Sequence, residues 1–335
     1  MGYLVKLENY SKAGKLQPQI TYTLREWYDS YSAAAKENGR SEQVVEPILQ
    51  QFLDLVVEQI DNPFQFEPYH QRLTQPLDLY KISLEFVRPL VKIDRSVALH
   101  LDHADQMEAQ LKRGENVILL ANHQTEMDPQ AISLLLEKTH PQMAQEMIFV
   151  AGHRVVSDPM AVPFSKGVNL LCIYSKKYIE TDPSLKEERL LHNQKTMMQM
   201  SQLLAEGGKC IYVAPSGGRD RPNSKGEIEV APFDPQSIEL FWLMAQRSNK
   251  PTHFYPLALA TYALLPPPDN IRKNIGERRH TNATPIALAF GPEVDMEGFL
   301  GTDIKDKKSK RKERALFIWE RVKRDYDTLM QKIAD

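Results

Sequence analysis

Apolar residues recur at helical spacing through the first part of the chain. Near residue 100 they switch to short unbroken runs separated by further helical stretches. Val44, Val45, Ile48, Leu49, Phe52, Leu53, Val56, Val57 and Ile60 keep the period of one helix face, and Asn62-Pro63 stops it. An earlier helix sets Leu24, Trp27, Tyr28 and Tyr31 on one face and ends near Asn38-Gly39, so residues 20–61 read as two helices. Neither can bury its stripe alone. A small helical bundle is expected, completed by Leu77 to Leu90 or by the rest of the chain.

Beyond residue 100, apolar runs at 116–121, 147–151, 169–174 and 209–214 alternate with helical patterns at 129–138 and 184–205. Two more strands, 253–260 and 285–290, follow. The longer helical pattern opens on a capping box, Ser184 with Glu187, and closes at Gly207-Gly208. Strand alternating with helix predicts an α/β fold in which a mostly parallel central sheet is flanked by helices. The expected division is a helical bundle over residues 1–78 and an α/β catalytic domain over 79–335. Pro266-Pro267-Pro268 marks a stiff loop. Residues 305–324 hold ten Lys or Arg against three acids, on a terminal helix that also carries Phe317, Trp319 and Val322.

Composition narrows the classes without choosing one. A chain of 335 residues can bury a large core. Its net charge of −2 supplies no global attraction to nucleic acid or membrane. No stretch has the roughly eighteen apolar residues that span a bilayer. Met1 to Lys6 lacks a signal peptide's apolar core, and Lys6 spoils a myristoylation pattern. A soluble protein without a transmembrane anchor is expected. Cys172 and Cys210 both fall in apolar runs and fit buried free thiols.

Chemistry concentrates in two segments. Asn122-His123-Gln124-Thr125-Glu126-Met127-Asp128-Pro129 follows a buried strand and places a histidine and a carboxylate at its end, with Pro129 set to open a helix. A histidine held by a carboxylate is fixed in one tautomer, and its other nitrogen can take a proton from an alcohol. The spacing is not unique: His153 and Asp158 repeat it and are also followed by proline. Pro215-Ser216-Gly217-Gly218-Arg219-Asp220-Arg221 follows another strand. Its glycines allow an anion nest, and Arg219 and Arg221, two apart, project to one side. Lys176-Lys177 closes a third strand. Ligands of open α/β sheets collect at such strand ends, so the three cationic elements and the base are expected to share a site.

The His-x4-Asp pair, the Gly-Gly-Arg-Asp-Arg block and the strand around His253-Phe254-Tyr255-Pro256-Leu257 resemble the four-block signature of glycerolipid acyltransferases. The strings Ala151-Gly152-His153-Arg154-Val155 and Leu171-Cys172-Ile173-Tyr174-Ser175-Lys176-Lys177 resemble the soluble, plastid-type, acyl-carrier-protein-dependent glycerol-3-phosphate 1-O-acyltransferases. The resemblance implies that His123 is the catalytic base and Asp128 its partner. It implies that Lys177, Arg219 and Arg221 bind the substrate phosphate, and it selects His123 over His153. Where that family carries a histidine after the second lysine, this chain has Tyr178, a further candidate phosphate ligand that brings no charge.

The implied reaction is direct acyl transfer to the sn-1 hydroxyl of glycerol-3-phosphate, giving lysophosphatidate. The acyl thioester of acyl carrier protein or coenzyme A is co-substrate, with no cofactor and no metal. The resemblance implies a bacterial cytoplasm or plastid stroma. Acyl carrier protein is acidic, so a basic docking surface is expected. Two clusters offer one: Lys305, Lys307, Lys308, Lys310, Arg311, Lys312 and Arg314, and Arg272, Lys273, Arg278 and Arg279. Three other readings remain at this point: a lysophosphatidate acyltransferase, a metal-dependent hydrolase built on both His-x4-Asp pairs, and a non-catalytic phosphometabolite-binding protein that keeps Arg219 and Arg221.

Overall fold

The computed structural model describes residues 2–268, 278–299 and 306–334, without the side chains of Lys176 and Lys177. Its strands are β1 (Tyr69–His70), β2 (Val97–Leu99), β3 (Asn116–Ala121), β4 (Ile148–Gly152), β5 (Asn169–Ile173), β6 (Cys210–Val213), β7 (Arg221–Pro222), β8 (Ile228–Glu229), β9 (Thr252–Ala260) and β10 (Ala287–Phe290). Eight of them form one sheet in the order β1-β5-β4-β6-β3-β9-β10-β2, and β7 with β8 makes a separate ribbon. From β5 through β9 every neighbour is parallel. β1 runs antiparallel to β5 and β10 antiparallel to β9, while β2 joins β10 in parallel.

β3 is buried at all six positions because both sheet faces are covered. Side chains alternate along it, so Ile118 and Leu120 enter one core while Val117, Leu119 and Ala121 enter the other. The first core is roofed by helices Lys186–Glu206, Pro235–Arg247 and Lys307–Ala334. The second lies under helices Leu101–Lys112, Asp128–Leu136 and Pro141–Glu146. The six strands expected from the apolar runs all form, within two residues at each end. The edge strands β1 and β2 were not anticipated; two and three residues are too few to show alternation.

Helices Pro18–Glu37 and Glu42–Asp61 match the two expected ones, and a third, Tyr3–Lys12, precedes them. Their core is completed by Tyr80, Leu84, Phe86 and Val87 of helix Leu79–Val87 and by residues of the α/β part, among them Met127, Met160 and Leu264. Trp27 lies at its centre, with the rings of Phe52 and Phe86 5.0 and 5.6 Å away.

Two local expectations need correction. Ser184 does not cap the long helix. Asp182 accepts both its N–H and its O–H, at 3.0 and 2.6 Å, closing a separate turn, and the helix starts at Lys186. The basic start of the last helix is less cationic at its surface than its composition implies. Arg314 is buried with Nη1 on Glu239, and Arg311 lies 3.0 Å from the same carboxylate. No helix among the described residues is long and apolar enough to cross a membrane. Cys172 and Cys210 are buried and free, on strands β5 and β6 with β4 between them.

Candidate active site

β6, β3 and β9 are neighbours and parallel, so the chain segments after them emerge at one edge. The segment after β3 carries His123. Its neighbours Asn122 and Gln124 point inward and are fully buried. Asn122 Nδ2 donates to Asp220 Oδ2 (2.8 Å) and to the Leu259 carbonyl (3.0 Å), and its Oδ1 accepts the Leu259 N–H (2.8 Å). Gln124 Nε2 donates to Asp220 Oδ2 (3.2 Å), and its Oε1 accepts the N–H groups of Thr261 (2.6 Å) and Tyr262 (2.9 Å). The two amides thus bind the β3 end to the β6 end on one side and to the β9 end on the other. Alternation then turns His123 outward, with its side chain 32% exposed.

His123 Nδ1 lies 2.7 Å from Asp128 Oδ2. Asp128 is buried at the start of helix Asp128–Leu136, with Pro129 in its first turn as expected. Four donors converge on its carboxylate. Oδ2 takes His123 Nδ1 and the Gln124 N–H (2.9 Å); Oδ1 takes the Thr125 N–H (3.2 Å) and the Thr261 hydroxyl (2.6 Å). With Asp128 as acceptor, the shared proton belongs on Nδ1, and Nε2 is left as the ring nitrogen able to accept.

The Gly-Gly-Arg-Asp-Arg block lies against this loop. The Asp220 N–H donates to the His123 carbonyl at 2.6 Å. Asp220 itself is buried, accepting from Asn122, Gln124 and the Ala231 N–H (2.9 Å). Burial pushes its carboxyl up to about 6 despite those bonds, and the nearby Asp128 adds to the rise. Arg219 and Arg221 flank it. Arg219 Nη1 is 3.5 Å from Glu126 Oε1, and Arg221 Nη1 donates to the carbonyls of Pro267 (3.3 Å) and Pro268 (2.9 Å). The structure therefore lays the segment that carries Arg219 and Arg221 against the loop that carries His123 and Asp128. The Lys177 side chain lies outside the described residues.

Tyr178 belongs to a different cluster. Its ring centroid is 4.7 Å from that of His153, and the Arg189 guanidinium lies 4.3 Å from it on helix Lys186–Glu206. His153 also stacks on Tyr174, and burial, then Arg189 and His192, pulls its pKa down to about 4. Asp158 is turned away, toward Arg279 Nη2 (3.2 Å) and the Met160 N–H (2.9 Å). The second His-x4-Asp pair is thus no pair in space, which removes the basis of the hydrolase reading. Among the described residues no three His, Cys, Asp or Glu side chains are grouped to hold a metal ion.

Arg279 also corrects the sequence reading. Placed there in a surface docking cluster, it is buried and bound to Glu126 (Nε 3.2 Å, Nη2 2.9 Å) as well as to Asp158. Arg278 is exposed but pairs with Glu26 at 2.7 Å, while Arg272 and Lys273 lie outside the described residues, as does Lys305 of the other cluster. Sequence reasoning gave no role to Asn122, Gln124, Glu126 or Thr261 and gave Arg279 a different one. For the first two the alternation of polar residues around His123 was an available signal; for Thr261 and Arg279 there was none nearby.

An acyltransferase family model matches residues 104–260, which contain both motif segments. A protein of Cucurbita moschata, glycerol-3-phosphate acyltransferase ATS12, chloroplastic, is 37% identical over 331 residues, covering 98% of this chain and 71% of its own. The chloroplastic glycerol-3-phosphate acyltransferase of Spinacia oleracea is 36% identical over 87% of this chain and 62% of its own length. That of Arabidopsis thaliana is 35% identical over 87% and 64%. This chain therefore spans less than two thirds of the spinach and Arabidopsis relatives. None of these relatives carries the name of a lysophosphatidate acyltransferase or a hydrolase.

Proposed function

The chain belongs to the glycerol-3-phosphate acyltransferase family, and on that premise we propose how its residues perform the transfer. A fatty acyl group passes from a thioester, on acyl carrier protein or coenzyme A, to the sn-1 hydroxyl of glycerol-3-phosphate. His123 Nε2 takes the hydroxyl proton while Asp128 holds the ring and stabilises the imidazolium that forms. The alkoxide attacks the thioester carbonyl, the tetrahedral intermediate collapses, and His123 returns the proton to the departing thiolate. Arg219, Arg221 and Lys177 bind the phosphate, and Tyr178, held in the His153 cluster, is left out of that set. The observation that carries this reading is the 2.7 Å His123–Asp128 pair, whose loop is bonded through the Asp220 N–H to the arginine block.

The test is incubation with glycerol-3-phosphate and an acyl thioester, following lysophosphatidate and free thiol together. Thiol release without lysophosphatidate would mark a thioesterase instead. Arg219→Ala or Arg221→Ala should each raise the KM for glycerol-3-phosphate by about one to two decades, the size of a lost charged hydrogen bond. The KM for the acyl thioester should stay near wild type; a rise confined to the thioester would assign the arginines elsewhere.

Acyl carrier protein as donor is supported by what remains of the basic C-terminal cluster. Lys307, Lys308 and Lys312 are exposed at the start of the last helix. Tyr326, about 21 Å further along that helix, lies beside Gln124 and Asp220 under the site. Charge reversal at the three lysines should slow transfer from acyl carrier protein and leave acyl-coenzyme A largely unaffected. Salt should act likewise, since about 0.1 M screens charges beyond roughly 10 Å. Equal effects on both donors would return the cluster to the role of solvated surface. Of the two compartments expected, the plastid is the one the relatives' names support, since they read chloroplastic.

A further inference from the structure

We infer that Arg279 is a positioning residue: through Glu126 it sets the orientation in which Arg219 meets the substrate phosphate. The inference rests on the proposed phosphate-binding role of Arg219 and adds a residue that no motif contains.

Arg279 carries a guanidinium whose side chain is 3% exposed, a placement that costs several kcal/mol unless the charge is matched. Two carboxylates match it. Glu126 Oε2 takes Nε and Nη2, and Asp158 Oδ2 takes Nη2. Its guanidinium also lies over the buried Trp27 ring, 5.5 Å from the centroid. Glu126 uses its second oxygen, Oε1, on Arg219. The order Asp158–Arg279–Glu126–Arg219 alternates in charge and ends at the proposed phosphate ligand.

Arg279 is the anchored member of this series. The Thr281 N–H donates to Ser30 Oγ at 3.3 Å, and Arg278 pairs with Glu26, so residues 278–281 are fastened to helix Pro18–Glu37. Glu126 sits in the loop between His123 and Asp128 and must come to Arg279 to be matched. Substrate makes the arrangement necessary. A phosphate dianion arriving at Arg219 lies close to the Glu126 carboxylate, a like charge that would otherwise turn aside and release Arg219. The second arginine behind Glu126 offsets that repulsion and keeps the carboxylate in place.

The test is a kinetic cycle with glycerol-3-phosphate and acyl-coenzyme A varied separately. Glu126→Gln preserves shape, and Arg279→Lys preserves charge while losing the two-pronged contact. Each should raise the KM for glycerol-3-phosphate about tenfold, within the range of coupling between contacting groups, with kcat within about threefold and the acyl-coenzyme A KM unchanged. In an Arg219→Ala background, Glu126→Gln should add nothing. A full additional tenfold loss there, or unchanged kinetics in Glu126→Gln, overturns the inference while leaving Arg219 as ligand. An Arg219→Ala enzyme with unchanged glycerol-3-phosphate KM overturns the phosphate reading and the inference with it. If Arg279→Lys does not fold, the Glu126→Gln cycle decides alone.

Discussion

Replacing His123 by alanine is expected to slow acyl transfer by about 10² to 10⁴ while the protein remains folded. The side chain is one-third exposed and its recorded partner is Asp128, so its loss removes a base and little packing. Asp128→Asn should be about as damaging, for a different reason. Four donors meet on the Asp128 oxygens, and a carboxamide brings N–H groups to one of those two positions. Turned one way it faces His123 Nδ1 and the Gln124 N–H; turned the other it faces Thr125 and Thr261. The first orientation forces the proton onto Nε2, the nitrogen that must accept. Loss from a wrong tautomer of this kind reaches about 10⁴ in serine proteases. Because the two residues act as one unit, His123→Ala/Asp128→Asn should be no slower than the worse single variant. Single-turnover rates at saturating glycerol-3-phosphate measure this, with circular dichroism reporting the fold. Near wild-type turnover in folded His123→Ala would end the proposed mechanism. An inactive, folded His153→Ala beside it would move the base to the second motif.

The largest expected effect on stability is at Asp220. Asp220→Ala leaves Gln124 Nε2 and the Ala231 N–H without their recorded acceptor, while Asn122 Nδ2 keeps the Leu259 carbonyl. Buried donors left unmade cost about 1–3 kcal/mol each, so a net loss of roughly 2–4 kcal/mol is expected after the desolvated charge is removed. The pH dependence is a separate signature. Asp220 in the native state holds its proton up to about pH 6, against an unfolded value near 4. The native state therefore binds more protons between those values, and this contribution to stability is largest below pH 4 and is lost as pH rises through 6. From pH 5 to pH 8 wild type should lose roughly 1 kcal/mol that Asp220→Ala does not. Urea unfolding at the two pH values measures the difference; parallel losses in both proteins would place the titrating group elsewhere.

The fold and the His123–Asp128 pairing were legible because both are local. Six buried strands announce themselves as apolar runs, and His123 and Asp128 lie five residues apart around one turn. What completes them is not local. The Thr261 hydroxyl reaches Asp128 across 133 residues, and Arg279 reaches Glu126 across 153. Charge counting failed for the same reason. Arg279 and Arg314 look like surface cations in sequence, and only the fold supplies Glu126, Asp158 and Glu239 to bury them. At Ser184 the competitor was only two residues away, but the capping pattern does not weigh Asp182 against the helix start. Asn122 and Gln124 were within reach, since buried amides on either side of an outward histidine follow from strand alternation.

The two cysteines make the reaction easy to watch. Burial pushes both thiols up to about 12. At pH 8 only about one in 10⁴ of each would be thiolate, the form that attacks a colorimetric disulfide reagent, and neither is open to solvent. A continuous assay can therefore contain the reagent from the start. With acyl-coenzyme A as the donor tested, absorbance should count any coenzyme released, without a background from the protein or slow loss of protein to labelling. A sudden burst of colour from the protein alone would then signal unfolding, giving each kinetic trace its own internal check on the variants.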